Sequence, residues 1–230
     1  MFDLKKHKFF VSCQAVEGEP LFGGDTVLKL ARAAVLGGAQ GIRTSQIDNI
    51  KKIMAENFNL PIIGLIKKEY SGSDVYITPT IEDLDQLIQT NVDIVAIDAT
   101  LRQRPAQTLT ELVQHFQTHK NPHQLLMADC SNKEDIENAI NLGFDIISTT
   151  MRGYTAETQN MSNTANDYEF IKWCRQISQD KNVILVAEGG LNTPADARAV
   201  LDLGVDVVVV GSAITRPQFI TKTFLQKIIE

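Results

Sequence analysis

Polar residues able to do chemistry follow almost every apolar run of the chain: Gln14, Arg43, Lys67, Asp98, Asp129, Thr149 with Thr150, Glu188, and Gly211 with Ser212. Lys67 comes directly after Pro61-Ile62-Ile63-Gly64-Leu65-Ile66, so its stem leaves a buried segment. Partial desolvation there would lower a lysine pKa from ~10.4 toward ~7–8, making the amine a base or a Schiff-base nucleophile. Its neighbour Lys68 is the better candidate for an ordinary surface lysine. Glu188 precedes Gly189-Gly190, whose missing side chains let a ligand approach the backbone. It could pair with Lys67, move a proton itself, or serve as a salt-bridge partner for Arg43 or Arg216. The last apolar run feeds Gly211-Ser212-Ala213-Ile214-Thr215-Arg216-Pro217, a small-residue turn entering a helix. Backbone N–H groups at such a turn suit an anion, and Arg216 adds charge at the edge. With the turn after Glu188, this makes Gly189, Gly190, Gly211 and Ser212 candidate phosphate-binding positions.

Other chemistries find less support. His115, His119 and His123 have helical spacing that resembles a metal cluster, but they fall at the end of a helix and in the loop after it, on the opposite face. Histidines near a helix C-terminus suit its dipole, so no metal site is expected. Cys13, Cys130 and Cys174 are odd in number, widely spaced and without a CxxC pair, which reads as three reduced thiols. No GxSxG, HExxH or Walker motif is present.

The elements that would position these residues alternate regularly. Short runs rich in Val, Ile and Leu lie at Phe9–Cys13, Gly41–Thr44, Pro61–Ile66, Asp93–Ile97, Leu125–Ala128, Asp145–Thr149, Val183–Ala187 and Val207–Val210. Most are continuous rather than alternating, as in strands buried on both faces of a parallel sheet. Between them lie amphipathic segments such as Thr26–Leu36, Ile81–Gln89, Leu109–Thr118, Lys133–Leu142, Asp167–Ser178 and Ala195–Leu203. Helix starts are marked by Thr80-Ile81-Glu82-Asp83 and Ser131-Asn132-Lys133-Glu134. The junctions Leu142-Gly143-Phe144-Asp145 and Leu203-Gly204-Val205-Asp206 are near copies, with a glycine suited to the left-handed residue that ends a helix.

A βα unit repeated about eight times, at about 29 residues each, predicts an α/β fold, a single (β/α)8 barrel over residues 1–230. Its long insertions, Lys67–Val75 and Arg152–Asn166, follow strands 3 and 6 on the side where such barrels bind ligands. The polar residues at the strand ends would then converge on one mouth, a small-molecule site.

The net charge of −6, from 28 acidic against 22 basic residues, offers no footprint for nucleic acid or an anionic membrane. No apolar run approaches a membrane span, and the first residues lack a signal-peptide pattern, so a cytoplasmic location is expected. A homodimer is the commonest assembly for such a chain, although no apolar stripe marks an interface.

Several of these segments resemble the N-acetylmannosamine-6-phosphate 2-epimerase family. They are Ser12-Cys13-Gln14-Ala15, Gly41-Ile42-Arg43, the run from Pro61 to Thr80 with Lys67 and Ser73-Asp74-Val75-Tyr76-Ile77-Thr78-Pro79, Asp98-Ala99-Thr100, Met127-Ala128-Asp129, Gly153-Tyr154-Thr155, Ala187-Glu188-Gly189 and Ile214-Thr215-Arg216-Pro217. The resemblance covers nearly the whole chain in order. It implies reversible conversion of N-acetylmannosamine 6-phosphate into N-acetylglucosamine 6-phosphate, in the use of sialic acid and related amino sugars, with no metal, nucleotide or flavin. It further implies Lys67 as the acid/base residue, Glu188 as its carboxylate partner, and Gln14, Arg43, Asp129 and Arg216 as residues that line and orient a sugar-phosphate substrate. Arg152 and Gly190 depart from the family's pattern at the mouth of the site. A Schiff-base sugar-phosphate aldolase or lyase using Lys67, and a non-catalytic sugar-phosphate sensor, are the alternatives.

Overall fold

A computed structural model describes residues 3–229; Met1, Phe2 and Glu230, the ends of the expected 1–230 domain, lie outside the described residues. After a short 3-10 turn the chain runs β1 (Phe9–Cys13), α1 (Thr26–Leu36), β2 (Gly41–Ser45), α2 (Ile47–Ala55), β3 (Ile62–Leu65), α3 (Ile81–Thr90), β4 (Ile94–Asp98), α4 (Leu109–His119), β5 (Leu125–Asp129), α5 (Lys133–Leu142), β6 (Ile146–Ser148), α6 (Ala165–Lys181), β7 (Ile184–Glu188), α7 (Pro194–Asp202), β8 (Val207–Val210), α8 (Ser212–Thr215) and α9 (Pro217–Ile229). The strands pair in parallel in chain order, and β8 returns to β1 through Phe9 opposite Val208, closing a (β/α)8 barrel. No helix among the described residues is long and apolar enough to cross a membrane.

Local sequence sets where the helices begin and end. Thr80 with Asp83, Thr108 with Glu111 and Thr193 with Asp196 form reciprocal capping boxes at α3, α4 and α7. At α5 the cap is Asn132, and Ser131 instead donates to Asp135. Gly143 ends α5 at φ +84, the left-handed geometry that its repeated junction predicts.

Side chains on a strand alternate between faces, and here the alternation places the chemistry. Phe10, Ile63, Leu65, Ile94, Ala96, Met127, Ile146, Val186, Val207 and Val209 pack inside the barrel. Val11, Ile42, Val95, Ile97, Leu126, Ala128, Ile147, Leu185, Ala187 and Val208 pack outward under the helices. Continuing the inward parity two residues at a time toward the strands' C-terminal ends reaches Ser12 and Gln14, Arg43, Lys67, Asp98, Asp129, Ser148 and Thr150, Glu188 and Gly211. Three of these, Asp98, Asp129 and Glu188, are the last residues of their strands rather than the first of the loops. β3 is shorter than expected and stops at Leu65, because Ile66 turns to the following hairpin: its N–H donates to Thr78 Oγ1 and its carbonyl accepts from Thr78 N–H.

At the opposite, N-terminal end of the barrel, the buried Phe10 ring fills the space above Gly41, where a Cβ would stand 2.4 Å from ring carbon Cζ. Gly41→Ala should therefore destabilise by about 1–3 kcal/mol through overpacking, read as a lower melting temperature.

α9 differs from the other long helices in that none of its residues is buried. Phe224, Leu225, Ile228 and Ile229 are exposed. An apolar surface thus exists that the sequence pattern did not reveal.

Candidate active site

The C-terminal mouth of the barrel holds a cavity of about 190 Å³. Gln14, Arg43, Lys67, Thr150 and Glu188 reach its walls from five different strand ends, and Gly189, Gly190, Gly211, Ser212 and Arg216 border it.

At its base is a buried charge cluster. Arg43, 1% exposed, donates from Nη1 and Nη2 to the two carboxylate oxygens of Asp129 at 3.1 and 2.6 Å. The same Nη1 lies 3.1 Å from Glu188 Oε2. Burial alone would lower the Arg43 pKa, but the two carboxylates more than offset it, so the guanidinium stays charged. Burial raises the Glu188 carboxyl above the usual carboxylate range, with Arg43 opposing. Thr150 donates its hydroxyl to Glu188 Oε2 at 3.2 Å. The Glu188 carbonyl accepts from Asn163 Nδ2 at 2.8 Å and from Thr149 Oγ1 at 2.9 Å.

Lys67 stands apart from this cluster and makes no ion pair with any described residue. Burial, then the positive charges of Arg43 and Arg216, lower its pKa from 10.5 to about 8, against the opposing pull of Glu188 and Glu19. Of the partners that the sequence leaves open for Glu188 (Lys67, Arg43 or Arg216), Arg43 is the one within ion-pair distance, and Lys67 is not. Both carboxylates thus sit against the buried Arg43 guanidinium and offset its desolvation.

Two other expected residues sit off the cavity wall. Asp129, 0% exposed, lies behind Arg43 with both oxygens engaged. Asp98 is turned aside by Arg102 (2.6 Å) and by the Thr100 hydroxyl (2.6 Å), and burial raises its pKa. Gln14 does face the cavity. Its Nε2 donates to Ser12 Oγ at 2.8 Å, while its buried Oε1 has no partner among the described residues.

Both glycine turns line the cavity. Gly189 and Gly190 take φ of +95 and +68, and a Cβ at Gly189 would meet the Thr150 carbonyl at 3.0 Å. The N–H groups of Gly190, Leu191, Ser212 and Ala213 have no acceptor among the described residues. Arg216 is held beside them by Glu19 (Nε to Oε1, 3.0 Å) and Ser212 Oγ (3.3 Å). Arg152 is part of the loop after β6. It donates to the Ser131 and Ser162 carbonyls and stacks 3.9 Å over the Phe170 ring, and it does not line the cavity.

Sequence reasoning gave no role to Glu19, which holds Arg216, or to Tyr76, which lines the cavity. Tyr76 lies within the distinctive segment after β3, and burial followed by Asp98 and Asp129 pushes its pKa up to about 12. Its phenol is therefore a neutral donor, and among the described residues it reaches the soft sulfur of Met151 at 3.9 Å. The histidines lie elsewhere: His115 bonds Asp85 at 2.6 Å and His123 meets the Asn91 carbonyl. Cys13 is buried, which raises its thiol pKa to about 12.

A protein-family model described as "Putative N-acetylmannosamine-6-phosphate epimerase" matches residues 27–230. A relative from Mycoplasmopsis pulmonis, named "Putative N-acetylmannosamine-6-phosphate 2-epimerase", is 58% identical over 224 residues, covering 97% of this chain and 98% of its own. One of the same name from Staphylococcus aureus is 45% identical over 220 residues, covering 96% and 97%. The solved structure of the N-acetylmannosamine-6-phosphate 2-epimerase from Clostridium perfringens superposes with a TM-score of 0.89 at 38% identity, covering 98% of this chain and 96% of that one.

Proposed function

The chain belongs to the N-acetylmannosamine-6-phosphate epimerase family, and from that premise we propose that residues 1–230 act as one catalytic domain interconverting N-acetylmannosamine 6-phosphate and N-acetylglucosamine 6-phosphate. The observation that carries the chemistry is Lys67, a half-buried amine with its pKa lowered to about 8, unpaired and facing the cavity beside a doubly paired arginine.

Inversion at carbon 2 becomes feasible once the sugar ring opens to its aldehyde, which acidifies the carbon 2 proton. Lys67 in its neutral form takes that proton, and the bonding pair moves through C1 onto the aldehyde oxygen as an enolate. Arg43, charged and immobilised by Asp129 and Glu188, offers a donor for that oxygen without reorganising as charge develops. Return of a proton to the opposite face of carbon 2 gives the epimer. Glu188, its pKa raised by burial, is the second group in the site suited to carrying a proton at neutral pH, and it shares the proton work with Lys67. Gln14 Oε1, an acceptor with no donor among the described residues, receives a donor from the substrate.

The phosphate is held by the turns at Gly189-Gly190 and Gly211-Ser212, with Arg216 completing its charge. Support comes from the unpaired N–H groups at both turns and from an arginine anchored by Glu19. Arg216→Gln should raise KM by about 10–100-fold with kcat changed far less, since the phosphate is bound alike in ground and transition states. A comparable loss in kcat would place Arg216 at the reacting carbon instead.

The test of the reaction is incubation with N-acetylmannosamine 6-phosphate in deuterated water, followed by proton NMR. Deuterium at carbon 2 of both epimers is the expected result; unchanged substrate or C–C cleavage products would reject the reading. Borohydride added during turnover should leave Lys67 unmodified, whereas a Schiff-base lyase would be trapped at that residue.

We also propose a homodimer that covers α9. Its exposed Phe224, Leu225, Ile228 and Ile229 form an apolar surface adjoining the site through Phe219 and Arg216. Sedimentation should give twice the 25.5 kDa chain mass, and Phe224→Glu combined with Ile228→Glu should shift it toward the monomer.

A further inference from the structure

Between β2 and α2 the chain turns from strand to helix at a single residue, Gln46, whose backbone stands at φ +72 and ψ +136 with no glycine to accommodate it. A non-glycine residue in that region is strained and persists only where surrounding contacts hold it. The contacts are specific. Gln46 N–H donates to the Leu65 carbonyl at 2.9 Å, the last bond along the β2–β3 ladder. Beyond that bond α2 carries the backbone away, so β3 loses its neighbour just where Lys67 follows.

The Gln46 side chain takes the place of the missing strand. Its Nε2 donates to the Lys67 carbonyl at 3.0 Å, and its Oε1 accepts from the Lys67 N–H at 3.1 Å. A primary carboxamide presents the same donor and acceptor as a peptide group, so the amide extends the ladder by one residue. On the other side, Lys67 bridges antiparallel to Ile77, Thr78 N–H donates to the Ile66 carbonyl and Lys68 N–H donates to the Tyr76 carbonyl. The backbone of Lys67 is held between the hairpin and one glutamine side chain.

From this geometry we infer that Gln46 is a positioning residue for the reaction: its carboxamide pins the Lys67 main chain so that the amine enters the cavity in one orientation. Glutamine alone meets the requirements. Asparagine is one methylene shorter, and an ionised glutamate would set an acceptor against the Lys67 carbonyl. The strained backbone is the structural cost of aiming that amide. The inference rests on the reading of Lys67 as the base.

The test compares Gln46→Glu, Gln46→Gly and Lys67→Ala with the unaltered chain, using kcat, KM, the pH dependence of kcat and melting temperature. Gln46→Glu keeps the shape and loses one of the two bonds. Gln46→Gly loses both and relieves the backbone, so strain relief partly offsets the lost bonds and the extra chain freedom in its melting temperature. In both Gln46 variants kcat should fall by about 10–100-fold, the cost of misplacing a reacting group by a fraction of an ångström, while KM stays within about threefold. The acid limb of kcat should also move to higher pH, as a loosened amine gains solvent. Unaltered kcat and an unshifted limb in both variants, with Lys67→Ala inactive, would overturn the inference alone. A loss of kcat that only follows a loss of melting temperature would overturn it as well, by assigning Gln46 to folding. Full activity in Lys67→Ala would overturn the reading of the base and the inference with it.

Discussion

Replacing Lys67 by alanine should lower kcat by about 10²–10⁴-fold, the range that positioned general acid–base groups contribute, and should abolish deuterium exchange at carbon 2 on the time scale of the unaltered enzyme. The amine sits in the cavity without an ion pair, so its removal strands no buried partner and the fold should remain intact. Lys67→Met tests the same point while keeping the stem that packs at the end of β3. The pH dependence follows from the state the chemistry needs. A base must be unprotonated, and burial with Arg43 and Arg216 lowers the Lys67 pKa to about 8. In the unaltered chain kcat should therefore rise with the Lys67 limb as pH increases toward about 8. This limb should vanish from the residual rate of Lys67→Ala. Exchange at carbon 2 that survives in both variants at the unaltered rate would move the base elsewhere.

Asp129→Asn should destabilise the fold by about 3 kcal/mol, the lower end of what removing one partner of a buried ion pair costs. Arg43 and Asp129 are 1% and 0% exposed, and two hydrogen bonds join them at 3.1 and 2.6 Å. The substitution keeps the volume but takes away the charge, and it turns an amide donor toward a guanidinium that can only donate. Glu188 remains 3.1 Å from Nη1, which compensates in part and places the loss at the low end. At about 2–4 °C per kcal/mol for a chain of this length, the melting temperature should drop by about 6–12 °C. kcat should fall too, because Arg43 would be free to lean toward Glu188 and away from the enolate oxygen. A melting temperature within about 2 °C of the unaltered chain would mean that Glu188 alone satisfies the guanidinium.

The barrel was legible because its determinants are local. Buried parallel strands need β-branched runs such as Val207–Val210, helices need caps such as Thr80 with Asp83, and junctions such as Leu142-Gly143 need a left-handed residue. Those requirements are met within a few residues, so periodicity and spacing report them directly. The strand-end positions were legible for the same reason. Once a run ends, the inward parity of a two-residue repeat tells which side chain comes last, and Gln14, Arg43, Lys67 and Glu188 do line the cavity.

What each of those residues touches was not legible. Arg43 and Asp129 are 86 positions apart, and Arg216 meets Glu19 from the far end of the chain. Such contacts depend on barrel closure and on how neighbouring strands stagger. Only the tertiary structure, therefore, chose Arg43 among the partners left open for Glu188, withdrew Asp129 and Asp98 from the wall, and left α9 with an apolar surface exposed. Gln46 shows the division most clearly. Its type and place in the chain say little, yet the turn from β2 into α2 brings its amide against a residue 21 positions away. Composition and alternation therefore determined a barrel with a basic residue at the right strand end. The ion pairs and the aim of that lysine were decided by closure, because they form between side chains that only the closed sheet makes neighbours.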